Sequence, residues 1–269
     1  MSKRHIARKR FGQNFLVDAN IIGKIINSIG AVPGQTLIEI GPGLGALTSP
    51  LLETGADLLV LEIDRDLAES LELRYCKQSN FSMVCGDALK YDFSDPSLPE
   101  QYRVVGNLPY NISTPLIFHL LAYKSRIKNM IFMLQSEVVD RMAAEPGGKE
   151  YGRLSVMVQY HCNVERLLNV PPSAFKPAPK VMSAIVGLTP TSTAQADTKL
   201  DDALAIVVRA AFASRRKTLR NNLREFLSEQ EIEACGINPG ARAETVSVSE
   251  FVSLARALRG SDHITQEMS

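Results

Sequence analysis

The sequence predicts an α/β fold, with a mostly parallel sheet flanked by helices and a small all-helical C-terminal domain. Three observations lead there. From about residue 36 to 134, short apolar runs alternate with helix-like segments. Those runs are filled with Leu, Ile and Val, as strands covered on both faces require. Beyond the Thr-, Ser- and Ala-rich stretch TPTSTAQADT (189–198), apolar residues recur every three or four positions instead, which is the helical period. A chain of 269 residues accommodates one large domain and a small appendage. The division is expected at residues 1–190 and 191–269.

In order, the elements begin with strand TLIEI (36–40), helix LGALTSPLLE, strand DLLVLEI (57–63) and helix DRDLAESLELRYC. Strands FSMVCGD (81–87) and YRVVGN (102–107), helix STPLIFHLLAYK and strand NMIFMLQ (129–135) follow. SEVVDRMAAE reads as helix and PGGKEYGR as a loop. Two extended runs, NVERLLNV (163–170) and VMSAIVGLTP (181–190), flank the proline-rich PPSAFKPAPK. The second alternates only weakly and is expected to close the sheet as an antiparallel strand. DDALAIVVRAAF, RRKTLRNNLREFL, SEQEIEACG and VSEFVSLARALRG are the C-terminal helices. Asp201 or Asp202, Ser228 and Ser249 stand where N-caps belong, and Gly236 and Gly260 where helices stop.

Composition narrows the function classes. No apolar run approaches the length of a membrane span; even Ile127 to Leu134 is broken by Lys128 and Asn129. The basic start MSKRHIARKRFGQ lacks the apolar core of a secretory signal and runs straight into FGQNFL. Cys76, Cys85, Cys162 and Cys235 form no C-x-x-C pair, and His5, His119, His161 and His263 are scattered. The expectation is a reducing, cytoplasmic compartment and no metal. Net charge is only +1, yet it is unevenly spread. Lys3, Arg4, Arg8, Lys9 and Arg10 form one acid-free basic run, and Arg209, Arg215, Arg216, Lys217, Arg220 and Arg224 another. Either run could contact phosphates or be a solvated helix face, and charge alone does not separate the two. In the second, Val207, Val208, Ala211 and Phe212 make one apolar stripe, and Leu219, Leu223, Phe226 and Leu227 the next. Arg215, Arg216, Lys217 and Arg220 then cluster at the junction, off the stripes and free to meet phosphates.

Strand TLIEI leads into Gly41-Pro-Gly43-Leu-Gly45. Glycines let the backbone turn tightly and approach a ligand with no Cβ in the way. Gly41, Gly43 and Ala46 also satisfy the dinucleotide pattern G-x-G-x-x-A, with Glu62 where a ribose-binding acid belongs. Two features separate the readings. Glu39 extends the motif to E-x-G-x-G-x-G, and a third strand ends in Gly86-Asp87-Ala88, where a carboxylate can accept from an adenine amino group. Acids at three successive strand ends suit a cationic adenosyl ligand better than a pyrophosphate. Asp64 reads as a helix N-cap.

The fourth strand ends in Asn107-Leu108-Pro109-Tyr110. An adenine amino group is a poor nucleophile because its lone pair is delocalised into the ring. A catalyst helps by accepting hydrogen bonds from its two N–H groups. Asn107 offers a side-chain carbonyl, Leu108 a backbone carbonyl held by Pro109, and Tyr110 a flat face for stacking. No cysteine nucleophile is called for, which argues against methylation at a pyrimidine carbon.

GQNFL (12–16), EIGPGLGALT (39–48), LEID (61–64), GDAL (86–89), VVGNLPYNISTPL (104–116) and NVPPSAFKPAPKVMSA (169–184) resemble the ribosomal RNA adenine dimethyltransferases, most closely the bacterial small-subunit type. The resemblance implies a Rossmann-like methyltransferase fold with S-adenosylmethionine as cofactor. It implies cofactor contacts at Asn14, Leu16, Gly41, Gly43, Glu62, Asp87 and Asn107. It also implies that Phe175 covers the target base opposite Tyr110, although the sequence reads Phe175 equally as a core anchor. Its implied substrate is two adjacent adenines of small-subunit ribosomal RNA, each dimethylated, in an immature subunit. Arg215, Arg216, Lys217 and Arg220 become RNA-binding candidates, and a monomer without membrane attachment is expected. The rival readings are an erythromycin-resistance-type methylase of large-subunit RNA and a non-catalytic ribosome-assembly factor.

Overall fold

A computed structural model describes residues 14–191 and 197–260. The basic run from Lys3 to Arg10, the first two residues of GQNFL, much of the expected linker and the C-terminal tail lie outside the described residues. In chain order the elements are β1 Phe15–Leu16, α1 Ala19–Ile29, β2 Thr36–Ile40, α2 Thr48–Glu53, β3 Asp57–Glu62, α3 Arg65–Tyr75, β4 Phe81–Cys85, β5 Tyr102–Asn107 and α4 Ser113–Leu121. There follow β6 Ile127–Gln135, α5 Ser136–Met142, α6 Arg153–His161, β7 Cys162–Val170, β8 Phe175–Lys176 and β9 Ser183–Pro190. The helices α7 Thr198–Ala211, α8 Leu219–Asn222, α9 Glu229–Ala234 and α10 Val248–Gly260 complete the described chain.

The described residues divide into two compact units, one within Met1–Val139 and Glu165–Pro190, the other within Asp140–Val164 and Thr191–Ser269. The first carries a seven-stranded sheet of order β4-β3-β2-β5-β6-β9-β7. Strands β4 to β6 run parallel, with Glu39 paired to Val60 on one side and Val105 on the other. Leu37, Ile38, Val60, Val104 and Val105 are buried in these central strands, which is why the runs read as continuously apolar. Helix ends follow the local rules: Asp18 accepts from the amides of Asn20 and Ile21, and Gly30 ends α1 at φ 55°. Asp64 caps α3, as expected. Strand β9 is antiparallel to β6, with Val186 opposite Phe132. It lies inside the sheet, however, and β7 takes the edge. Burial of Ser183 through Val186 in succession accounts for its weak alternation.

The second unit is helical, and it claims Asp140–Val164 as well as the residues after 190. The reason lies in long-range bonds that periodicity does not encode. The Tyr151 hydroxyl donates to the Val246 carbonyl at 2.9 Å, and the Gly147 amide to the Glu244 carbonyl at 2.7 Å. Helix α7 begins earlier than expected, because Asp197 and not Asp201 or Asp202 is its cap, accepting from the Leu200 amide at 3.1 Å. Asp197 also pairs with Arg259 at 2.6 Å. Ser228 and Glu231 form a capping box at α9, which Gly236 ends at φ 77°. At α10 the pair is Ser247 and Glu250, two residues before the expected Ser249. The long helix expected in RRKTLRNNLREFL shrinks to α8. Among the described residues, no helix is long and apolar enough to cross a membrane.

Candidate active site

Strand order reverses at β2: the chain proceeds outward through β3 and β4, then returns to β5 on the other side. Ligand crevices form at such switch points, at the carboxyl ends of the strands. Here a cavity of about 330 Å³ opens at the ends of β2, β3, β4 and β5. Asn14, Leu16, Gly41, Gly43, Glu62, Asp87, Asn107, Leu108, Pro109 and Tyr110 all line it. The glycines are there for conformation: Gly41 and Gly43 sit at φ 66° and 59°, and a Cβ on Gly43 would press against the Phe15 ring.

Its walls are acidic. Glu39, Glu62 and Asp87 line the cavity, and among the described residues no Lys, Arg or His does. Glu62 is fixed by two backbone amides, Gly43 at 3.2 Å and Asp64 at 2.9 Å. Burial raises its pKa against the pull of those bonds. Asp87 accepts from the Leu89 amide at 3.0 Å through one oxygen, so its carboxylate is oriented and half-buried. Glu39, 1% exposed, accepts from the Thr48 hydroxyl at 2.6 Å. Burial, opposed by that bond and assisted by Glu62, pushes its pKa up to about 7.

The Asn107 side-chain nitrogen donates to the Asn14 carbonyl at 3.3 Å. That bond fixes which end of the amide is nitrogen, and leaves Oδ1 as the acceptor offered to a ligand. The Leu108 amide donates to the Met133 carbonyl at 3.2 Å, which anchors the peptide bearing the Leu108 carbonyl. Tyr110 is part-buried, and its hydroxyl is held by Ser183 Oγ at 2.7 Å. Burial raises the phenol pKa, so the ring is neutral at physiological pH.

Phe175 is placed differently from its implied role. It does not line the cavity; it is 3% exposed, lies opposite Leu16 in the β1–β8 pair, and packs with Ile21, Ile25 and Ala174 in the core. In this conformation the ring is packed in the core rather than turned towards the cavity. With so little ring surface left open, covering a base would require the side chain to leave the core.

The basic cluster belongs to the helical unit: Arg215, Arg216 and Lys217 lie between α7 and α8, and Arg220 lies in α8. All four residues are exposed, but not all are free. Arg215 pairs with Glu244 at 2.8 Å and donates to the Lys149 carbonyl, and Arg220 reaches Glu229 at 3.4 Å. Arg216 and Lys217 have no such partner among the described residues. Sequence reasoning also missed Thr48 and the hydrogen bond it gives Glu39. It missed Gly106 too, where an added Cβ would run into the Ile40 carbonyl and force β2 and β5 apart. A glycine inside a strand is the signal for such close approach.

A model of the family described as ribosomal RNA adenine dimethylase matches residues 4–259. The chain belongs to that family. It is 56% identical over 250 residues to the ribosomal RNA small subunit methyltransferase A of Aromatoleum aromaticum, covering 93% of each chain. Among solved structures it is similar to a dimethyladenosine transferase from Plasmodium falciparum, with TM-score 0.75, 27% identity and coverage of 89% and 95%. It is also similar to the 23S rRNA methyltransferase ErmE, with TM-score 0.71, 26% identity and coverage of 91% and 100%.

Proposed function

We propose that this protein transfers methyl groups from S-adenosylmethionine to the N6 amino groups of adenines in small-subunit ribosomal RNA. The observation that carries the reading is the oriented Asn107–Tyr110 tetrapeptide at the rim of an acidic cavity. The small-subunit assignment follows the 56%-identical relative rather than the more distant large-subunit enzyme. The intact tetrapeptide argues against a purely non-catalytic assembly factor.

The residues fit the cofactor. Acids at three strand ends and glycine backbone with no Cβ suit a cationic adenosyl compound, whereas a dinucleotide's pyrophosphate would meet carboxylates. When bound, S-adenosylmethionine supplies a methyl group made electrophilic by its sulfonium charge. Glu62 is placed to accept from ribose hydroxyls, Asp87 to accept from the adenine amino group, and Gly41 and Gly43 to let the ligand approach the backbone. Asn107 Oδ1 and the Leu108 carbonyl accept the two N–H groups of the target amine, and Tyr110 stacks on its ring. Those bonds localise the nitrogen lone pair, and the cation formed on methylation is acidic enough to lose its proton to water. A second round requires only that the mono-methylated amine present its remaining N–H. We extend the reading to two adjacent adenines, an immature small subunit, a cytoplasmic location and a monomer.

Calorimetry tests the cofactor site. Glu62→Ala is expected to weaken S-adenosylmethionine binding by about 1.5–3 kcal/mol per hydrogen bond lost. An unchanged Kd, or tight binding of a nicotinamide dinucleotide by the wild type, contradicts the assignment.

The helical domain is proposed to dock RNA through its basic cluster. Arg216 and Lys217 are the best placed, since Arg215 and Arg220 already serve carboxylates. Each phosphate neutralised contributes about 0.9 to the slope of log affinity against log salt, taking B-form DNA as guide. The double Arg216→Ala, Lys217→Ala variant is expected to flatten that slope by about two such contacts. Its Tm is expected to change little, because exposed charges add little to stability. A slope equal to wild type makes the cluster a solvated face and shifts docking to the Lys3–Arg10 run.

A further inference from the structure

We propose that Glu39 is the charge-matching residue of the cavity: a cationic ligand seated beside this buried carboxyl binds its ionised form and displaces whatever proton it carries in the ligand-free protein. The inference rests on reading the cavity as an S-adenosylmethionine site.

The geometry isolates this carboxyl. Glu39 lines the cavity floor, is 1% exposed, and has one hydrogen bond among the described residues, from Thr48 of α2 at 2.6 Å. No cation faces it. From β3 and the turn after it come Glu62 and Asp64, both buried, and from the end of β4 comes Asp87. From β5 comes the neutral Asn107. The one arginine of β5, Arg103, is spent on Asn129, Gln35 and the carbonyls of Ile29 and Gly30. Arg74 of α3 donates to the Leu44 carbonyl and does not line the cavity.

A buried carboxylate without a cation is expensive, and taking up a proton relieves the cost. Burial and the neighbouring Glu62 place that titration at about 7, so near neutral pH the free protein is a mixture of the two forms. A positive charge seated against Glu39 favours the ionised form. Bound and free protein therefore differ in protons held, and affinity for a cation rises with pH through this range. Below it, the ligand must displace a proton. Above it, affinity levels off.

The experiment is calorimetry of the full chain with S-adenosylmethionine near pH 7, in phosphate and in Tris, whose ionisation enthalpies differ. Wild type is expected to release a fraction of a proton per ligand bound, read from the difference between buffers and falling as pH is raised. Glu39→Gln is expected to release fewer protons than wild type, so that its heats depend less on buffer and its affinity varies less between about pH 6 and about pH 8. Thr48→Val removes the one bond that favours the ionised form. It is expected to shift the release to higher pH, and it keeps the test alive if the glutamine variant does not fold. Equal heats in both buffers for wild type, undiminished release from Glu39→Gln, or an unmoved midpoint in Thr48→Val each overturn the proposal. Absence of any binding by wild type overturns the cofactor assignment instead.

Discussion

Replacing Asn107 by Ala is expected to lower methyl transfer by about a hundred-fold or more, the scale of losing one preorganised group that acts on the transition state. The side chain sits at the end of β5, where its nitrogen is committed to the Asn14 carbonyl and its oxygen is offered to the cavity. Alanine removes the acceptor and leaves the strand intact. RNA affinity and Tm are expected to change little, so single-turnover kinetics with saturating cofactor isolate the effect. Near wild-type turnover would mean that the Leu108 carbonyl activates the amine unaided.

The second large effect is on stability. Phe175→Ala is expected to cost about 3–5 kcal/mol, the range for deleting a buried aromatic side chain. Its ring is 3% exposed and packs with Leu16, Ile21 and Ile25. Denaturant unfolding measures the loss. Because Leu16 lines the cavity and pairs with Phe175, cofactor affinity is expected to fall as well. A variant of wild-type stability with a specific defect in turnover would restore the base-stacking role.

What was legible in the sequence follows from which forces are local. The central strands were readable because burial on both faces leaves no polar alternation, and the cavity was readable because parallel strands place their carboxyl ends together. Hence Gly41, Glu62, Asp87 and Asn107, far apart in sequence, could be assigned to one site. Caps that need only a neighbouring amide, such as Asp64 and Ser228, were also readable. Features fixed by distant partners were not. The grouping of Asp140–Val164 with the C-terminal helices depends on Tyr151 reaching Val246, and α7 starts where Asp197 meets Arg259. Arg215 looked free because its partner Glu244 is 29 positions away. Phe175 was ambiguous because a ring that packs and a ring that stacks carry the same sequence signature. Glu39 belongs to a motif in the sequence, whereas its hydroxyl partner Thr48 is set by the fold.

The most direct test of the account is transfer of radiolabelled methyl groups to isolated small and large ribosomal subunits, followed by digestion to nucleosides. The expected result is label in small-subunit RNA alone, recovered as N6,N6-dimethyladenosine and lost with Asn107→Ala. Label in large-subunit RNA, label on any nucleoside other than adenosine, or no transfer by a protein that binds the cofactor would contradict it.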